Sequence, residues 1–219
     1  MSPRRLTRAE QREKTRGCLV EAAAKVFTRR GYDKASLDEV AEEAGFTKGA
    51  VYSNFKGKED LFLATIDAHF EERLQSIKRV MQEEPDEQGT AHAAGMDFMN
   101  QLNADPEYFA LFFEFWAYAQ RNPGVKKKFL PRVQRFRSAL AEVFEAKSDN
   151  TGIELPIPTE QLASMLIAMA AGVAMERELD PKSVPHDMYA LMLQFFFRGM
   201  LAEERESGVD LHSGYQAVS

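Results

Sequence analysis

Within a dozen residues the stretch GFTKGAVYSNFKGKEDL, 45–61, gathers the side chains that suit a polyanion: Thr47, Lys48, Tyr52, Ser53, Asn54 and Lys58. A lysine ammonium reaches a guanine edge or a phosphate, and the hydroxyls of Tyr52 and Ser53 bond phosphate oxygens. Gly49 and Ala50 lack bulk, so a backbone that carries them can approach a groove closely. Apolar side chains are few, and Val51 and Phe55 stand four apart. This is the chemistry of duplex binding. No comparable set of reactive groups serves catalysis or metal binding. His69, His92, His186 and His212 are scattered without H-x-x-x-H or H-E-x-x-H spacing, and no G-x-S-x-G, P-loop or dinucleotide fingerprint occurs. The chain is therefore expected not to be an enzyme and to need no cofactor or metal. Cys18, on the apolar face of a helix, is expected to be a buried structural thiol.

The elements that must position the cluster are helical. A first helix is expected over about 8–30, with Cys18, Leu19, Ala22, Ala23, Val26 and Phe27 on one face and Gly31 as its stop. Ser36 and Glu39 read as a capping box opening SLDEVAEEAG, whose Leu37, Val40, Ala41 and Ala44 fall at i, i+3, i+4, i+7. Gly45 breaks it and Thr47 caps a third helix over about 48–55. Two short helices joined by a tight turn make a helix-turn-helix, whose second helix lays one side in the major groove. Val51 and Phe55 would pack back on Leu37, Val40 and Ala41. Lys58 opens a fourth helix, to about 83, whose free N–H groups also favour a phosphate.

From Ala22 to Phe62 the run AAAKVFTRRGYDKASLDEVAEEAGFTKGAVYSNFKGKEDLF resembles the TetR-type transcriptional regulators. The features carrying the likeness are the AA…F…GY start, the T/S-x-x-E/D-V-A-x-x-A-G second helix and the G-x-V-Y-x-x-F-x-x-K-E-x-L run. The resemblance covers the first third of the chain and implies a homodimer on a pseudo-palindromic double-stranded operator, repressing and released by a small molecule. It implies DNA contacts by Thr47, Lys48, Gly49, Ala50, Tyr52, Ser53, Asn54 and Lys58, and a phosphate contact by Ser36. The family's usual histidine before the closing Phe is replaced by Asn54. Arg4, Arg5 and Arg8, at the approach to the first helix, are either a solvated arm or an arm that enters an adjacent minor groove.

Helical segments continue at about 90–103, 106–121, 124–147, 159–178 and 186–206, with EEPDEQG (83–89) the clearest linker. The expected fold is all-α, a three-helix helix-turn-helix domain plus a larger C-terminal helical bundle, about nine helices, dimerising through a four-helix interface. The expected division is a basic arm at 1–12, a DNA-binding domain at 13–73 (helix-turn-helix 36–55), a ligand-binding and dimerisation domain at 74–206 and a flexible tail at 207–219.

PEYFALFFEFWAYAQ, 106–120, spreads its aromatics over about twice the arc of an ordinary surface helix. Plain core explains this as well as a cavity does. On the second reading Phe109, Phe112, Phe113, Trp116 and Phe136 line a pocket with Met96, Met99, Met165 and Met169, suited to a bulky apolar or aromatic effector. The alternative is an architectural DNA-binding protein without a ligand, which would not need such a domain. YALMLQFFFRGML, 189–201, is apolar nearly all round and is expected to be covered by a partner subunit.

Whole-chain charge fits this division. Residues 1–56 carry twelve Lys and Arg against eight Asp and Glu, a net of +4, in a 219-residue chain whose formal net is −6. One cysteine excludes an intrachain disulfide framework, and the start of the chain has no signal-peptide pattern. The longest apolar run, 162–175, is shorter than the ~20 residues of a membrane span. A cytoplasmic protein without a membrane partner is the expectation.

Overall fold

Thr7 starts the first helix with a reciprocal cap. Its Oγ1 accepts from the Glu10 N–H at 3.2 Å and its own N–H donates to Glu10 Oε2 at 2.7 Å. The computed structural model describes residues 7–83, 87–152 and 155–207. Among them are nine helices: α1 (Arg8–Arg30), α2 (Leu37–Glu43), α3 (Lys48–Asn54), α4 (Lys58–Glu83), α5 (Glu87–Ala104), α6 (Pro106–Arg121), α7 (Pro123–Thr151), α8 (Thr159–Leu179) and α9 (Met188–Ser207). No strand occurs among the described residues, so the fold is all-α as expected. Arg4, Arg5 and the tail beyond Ser207 lie outside the described residues.

Two expected boundaries move. The linker at 83–89 is shorter, because Glu87, Gln88 and Gly89 already belong to α5. The break expected from Ser148 starts later, because α7 continues through Ser148–Thr151 before Gly152 turns at φ 72°. Polar residues at a helix end look like loop in a sequence, but they extend a helix wherever nothing breaks the backbone ladder.

The chain forms two compact units that do not follow chain order. The first takes the chain through Glu71 and then Ala110–Leu130; the second takes Glu72–Phe109 and the chain from Pro131. A division at 73/74 by sequence thus leaves out the middle of α6 and the start of α7, which pack with the N-terminal helices.

In the first unit, Leu19, Ala23, Val26 and Phe27 of α1 are wholly buried, with Val40, Val51, Leu61 and Phe62. Cys18, expected in that core, is only half-buried at its edge. Four aromatic side chains knit the unit together. Phe27 meets Phe62 edge-on at 5.0 Å, Tyr32 meets Phe115 at 5.1 Å, and Phe62 stacks on Phe115 at 4.2 Å. Burial raises the Tyr32 hydroxyl above its ordinary pKa, with the nearby Tyr118, Glu59 and Asp33 adding to the effect.

In the second unit α5 lies against α9, and a Cβ at Gly95 would stand 2.3 Å from the Ala190 Cα. Tyr189 tilts against Phe98 at 4.8 Å, and its hydroxyl donates to the Leu166 carbonyl at 2.9 Å. A charge pair is taken inside: Arg73 bonds Asp97, which also accepts from Ser76 Oγ at 2.7 Å. Burial depresses the Arg73 pKa, and Asp97 opposes that shift.

Candidate nucleic-acid interface

α2 begins at Ser36, whose Oγ accepts from the Glu39 N–H at 3.2 Å while the Ser36 N–H donates to Glu39 Oε2 at 3.1 Å. This capping box holds the Glu39 carboxyl below its ordinary pKa, through the Ser36 backbone and side-chain hydrogen bonds first and Arg30 after them. The turn that follows requires a left-handed residue, and Gly45 supplies it at φ 68°. The Phe46 N–H then donates to the Ala41 carbonyl at 2.9 Å, closing the turn. Thr47 caps α3, accepting from the Ala50 N–H at 3.3 Å.

α3 divides its side chains sharply. Val51 and Phe55 are buried, at 0% and 2% exposure, so the helix is seated by these two residues. Thr47, Lys48, Gly49, Tyr52 and Ser53 face solvent, with Tyr52 61% exposed, and Ala50 is half-buried. Among the described residues nothing crowds Gly49; a Cβ there would meet only Thr47 Oγ1, at 3.7 Å. Its lack of a side chain is not demanded by the packing of this protein.

Several of the expected contact residues are engaged within the chain. Asn54 turns back, its Nδ2 donating to the Ala50 carbonyl at 2.8 Å, while its buried Oδ1 has no hydrogen-bond partner among the described residues. Lys58 is half-buried; its Nζ donates to the Asp33 carbonyl at 2.9 Å and lies 4.8 Å from the Tyr32 ring centroid. It thereby ties the start of α4 to the segment between α1 and α2. The Ser36 hydroxyl serves the capping box and also donates to Glu39 Oε2 at 3.1 Å. Lys48 forms an ion pair with Asp38 of α2.

The tertiary structure adds two arginines that sequence reasoning missed. Arg12 Nη2 donates to the Ser53 carbonyl at 3.4 Å, and the Arg16 guanidinium lies 4.4 Å from the Phe55 ring centroid. α1 thus brings positive charge to the C-terminal end of α3, where helix carbonyls favour it. The spacing of Arg8, Arg12 and Arg16, each four residues from the next, was the signal that placed them on one face.

The expected effector residues fall in both units. In the first, Phe112 and Phe113 are half-buried and Trp116 is 50% exposed. In the second, Met99 is wholly buried, Met96, Phe109, Phe136 and Met169 are half-buried, and Met165 is 44% exposed. Among the described residues no helix is long and apolar enough to cross a membrane.

Comparison with known proteins places this geometry. The profile described as bacterial regulatory proteins, tetR family, matches residues 19–65, and the profile of the C-terminal part of BetI-type transcriptional repressors matches residues 85–202. The transcriptional activator FasR of Mycolicibacterium smegmatis is 32% identical over 47% of this chain and 47% of its own length, so the aligned part spans about half of that relative. The nicotine-responsive transcriptional repressor HdnoR of Paenarthrobacter nicotinovorans is 26% identical over 77% of this chain and 86% of its own. A TetR-family regulator of Mesorhizobium loti, known from a crystal structure, shares the fold with a TM-score of 0.71 at 23% identity, over 90% of this chain and 98% of that one. With its helix-turn-helix seated by Val51 and Phe55, and both of its parts matched in order, the chain belongs to the tetR family of bacterial regulatory proteins, DNA-binding transcriptional regulators rather than enzymes.

Proposed function

We propose that this regulator binds a pseudo-palindromic operator as a homodimer, represses, and is released by a bulky apolar or aromatic small molecule. The observation that carries the reading is the contact of Phe115 with Phe62 and Tyr32. It joins α6, the helix with Phe112, Phe113 and Trp116, to the core that seats α3. An effector that moves α6 would act on the DNA-binding helices through packed aromatic rings, and packed cores transmit such shifts because they do not deform continuously. Thr47, Lys48, Gly49, Ala50, Tyr52 and Ser53 face the groove in this reading, with Arg12 and Arg16 beside the flanking phosphates. Asn54, Lys58 and Ser36 would support the helix positions, and contact phosphate only through the atoms left accessible.

Three observations support the finer parts. Met96, Phe109, Phe136 and Met169 give the second unit half-buried thioethers and rings, which adapt well to large apolar ligands. A relative whose name declares it nicotine-responsive fits an aromatic effector. On α8 and α9, Met175, Leu179, Leu191 and Phe195 are exposed, and Phe195 is 70% so, which suits a partner subunit. The relatives carry both signs, an activator and a repressor, and the repressor reading follows the profile that matches residues 85–202.

Selection of binding duplexes from a randomised library, followed by titration of the selected duplex with and without a panel of aromatic compounds, tests the proposal. An enriched two-fold motif, released by a compound that also changes Trp116 fluorescence, is the expected result. Enrichment of no motif would overturn the operator reading. A motif that no fluorescence-active compound releases would overturn the effector reading.

A further inference from the structure

Asp38 stands in the first turn of α2 and pairs with Lys48, the first residue of α3. Both are exposed, with 53% and 65% of their side chains open to solvent. Lys48 is the only cation of α3, so the one positive charge of the groove-facing helix is held by a carboxylate.

As an acidic residue in the first turn of α2, Asp38 adds only the modest stabilisation of a carboxylate at a helix N-terminus. Exposed ion pairs contribute little, and the α2 N-terminus already has Glu39 in its capping box. For generic DNA affinity Asp38 is unfavourable, because it repels phosphates and competes for Lys48. A carboxylate beside a groove-facing lysine becomes favourable only where a base edge donates to it. In the major groove the cytosine N4 amino group is the donor that Asp and Glu accept from, while a lysine donates to guanine O6 or N7.

We propose that Asp38 is a specificity-determining residue of the DNA interface, accepting from a cytosine N4 amino group while the Lys48 ammonium it holds donates to a guanine. The inference rests on the reading that α3 enters the major groove. Acting together, the two side chains read adjacent G·C pairs and disfavour sequences that offer the carboxylate no donor.

Duplex selection with the full-length wild type, Asp38→Ala and Asp38→Asn, followed by titration of single-base variants of the selected site, tests it. In each half-site the wild type should prefer cytosine at one position by about five- to tenfold. Asp38→Ala should lose that preference and keep the others. Its binding to a duplex lacking the motif should become steeper in salt by about one unit of slope, since the freed Lys48 can engage a phosphate. Asp38→Asn should shift the position toward adenine, which asparagine reads. The same motif from all three proteins would overturn the inference and leave the DNA-binding reading intact. A lowered melting temperature with every base preference retained would make Asp38 merely structural. No motif from the wild type would remove both readings.

Discussion

Phe115 of α6 stacks on Phe62 of α4, with ring centroids 4.2 Å apart and planes 28° from parallel. Both rings are wholly buried, and each also meets Tyr32 edge-on, at 5.1 Å from either one. The stacked pair makes α6 part of the same core that seats the helix-turn-helix.

Truncating Phe115 to alanine should destabilise the protein by about 3–5 kcal/mol, the cost of emptying a buried aromatic site. Phe115→Leu should cost less and retain DNA binding, but blunt effector-driven release. Urea unfolding and operator titration with effector check the two effects separately. Full release in a folded Phe115→Leu variant would mean that the signal does not pass through this ring.

Replacing Gly49 by alanine should have opposite effects on folding and binding. The position is open and helical, so alanine should stabilise α3 by up to ~1 kcal/mol. If the α3 backbone approaches DNA there, the added methyl should weaken operator binding. Lys48→Ala should weaken it too and relax the base preference at one position of each half-site. Melting temperature and titration of single-base variants of the operator measure both.

Gly95→Ala should be destabilising although Gly95 is helical. The new methyl would meet the Ala190 Cα at 2.3 Å and its backbone nitrogen at 2.6 Å, so α5 and α9 would have to separate. A cost of about 1–3 kcal/mol is expected from overpacking. Adding Ala190→Gly should not restore stability, because the clash is with backbone. Denaturant melts of the single and double variants decide this, and rescue by the double variant would contradict it.

Phe195→Glu should leave the folded subunit intact, since the side chain is 70% exposed in it. It should weaken self-association by at least about 2 kcal/mol, or ~30-fold, if Phe195 sits near the centre of the partner interface. Light scattering over a concentration series checks the mass. An unchanged dimer would move the interface away from this face of α9.

Acid should act through the capping boxes. The Glu39 carboxyl, and Glu10 likewise through its hydrogen bonds with Thr7, are held below their ordinary value of 4.5. A depressed carboxyl contributes stability above its unfolded pKa, and that contribution is lost as pH falls below about 4.5 through the folded value. Glu39→Gln keeps a capping side chain but does not titrate. It should therefore lower the melting temperature at pH 7 and differ progressively less from the wild type toward pH 3. A constant difference across that range would show that Glu39 does not contribute through its charge.

The local features were legible in the chain because they depend on neighbours in sequence. Gly31 and Gly45 adopt the left-handed conformation that their positions require, Ser36–Glu39 forms its box, and Thr47 caps α3. Val51 and Phe55, four apart on a helix otherwise poor in apolar residues, could only be its buried side. Long-range contacts decided the rest. The bond from Lys58 to the Asp33 carbonyl and the arrival of Arg12 at Ser53 join residues that no periodicity relates. The aromatic arc of α6 was equally compatible with core and with cavity, and packing divided it, burying Phe115 and leaving Trp116 half open. A helix records in its sequence which side is apolar. What that side packs against is chosen only when the other helices arrive, and here the middle of α6 joins the DNA-binding unit rather than the rest of the C-terminal part.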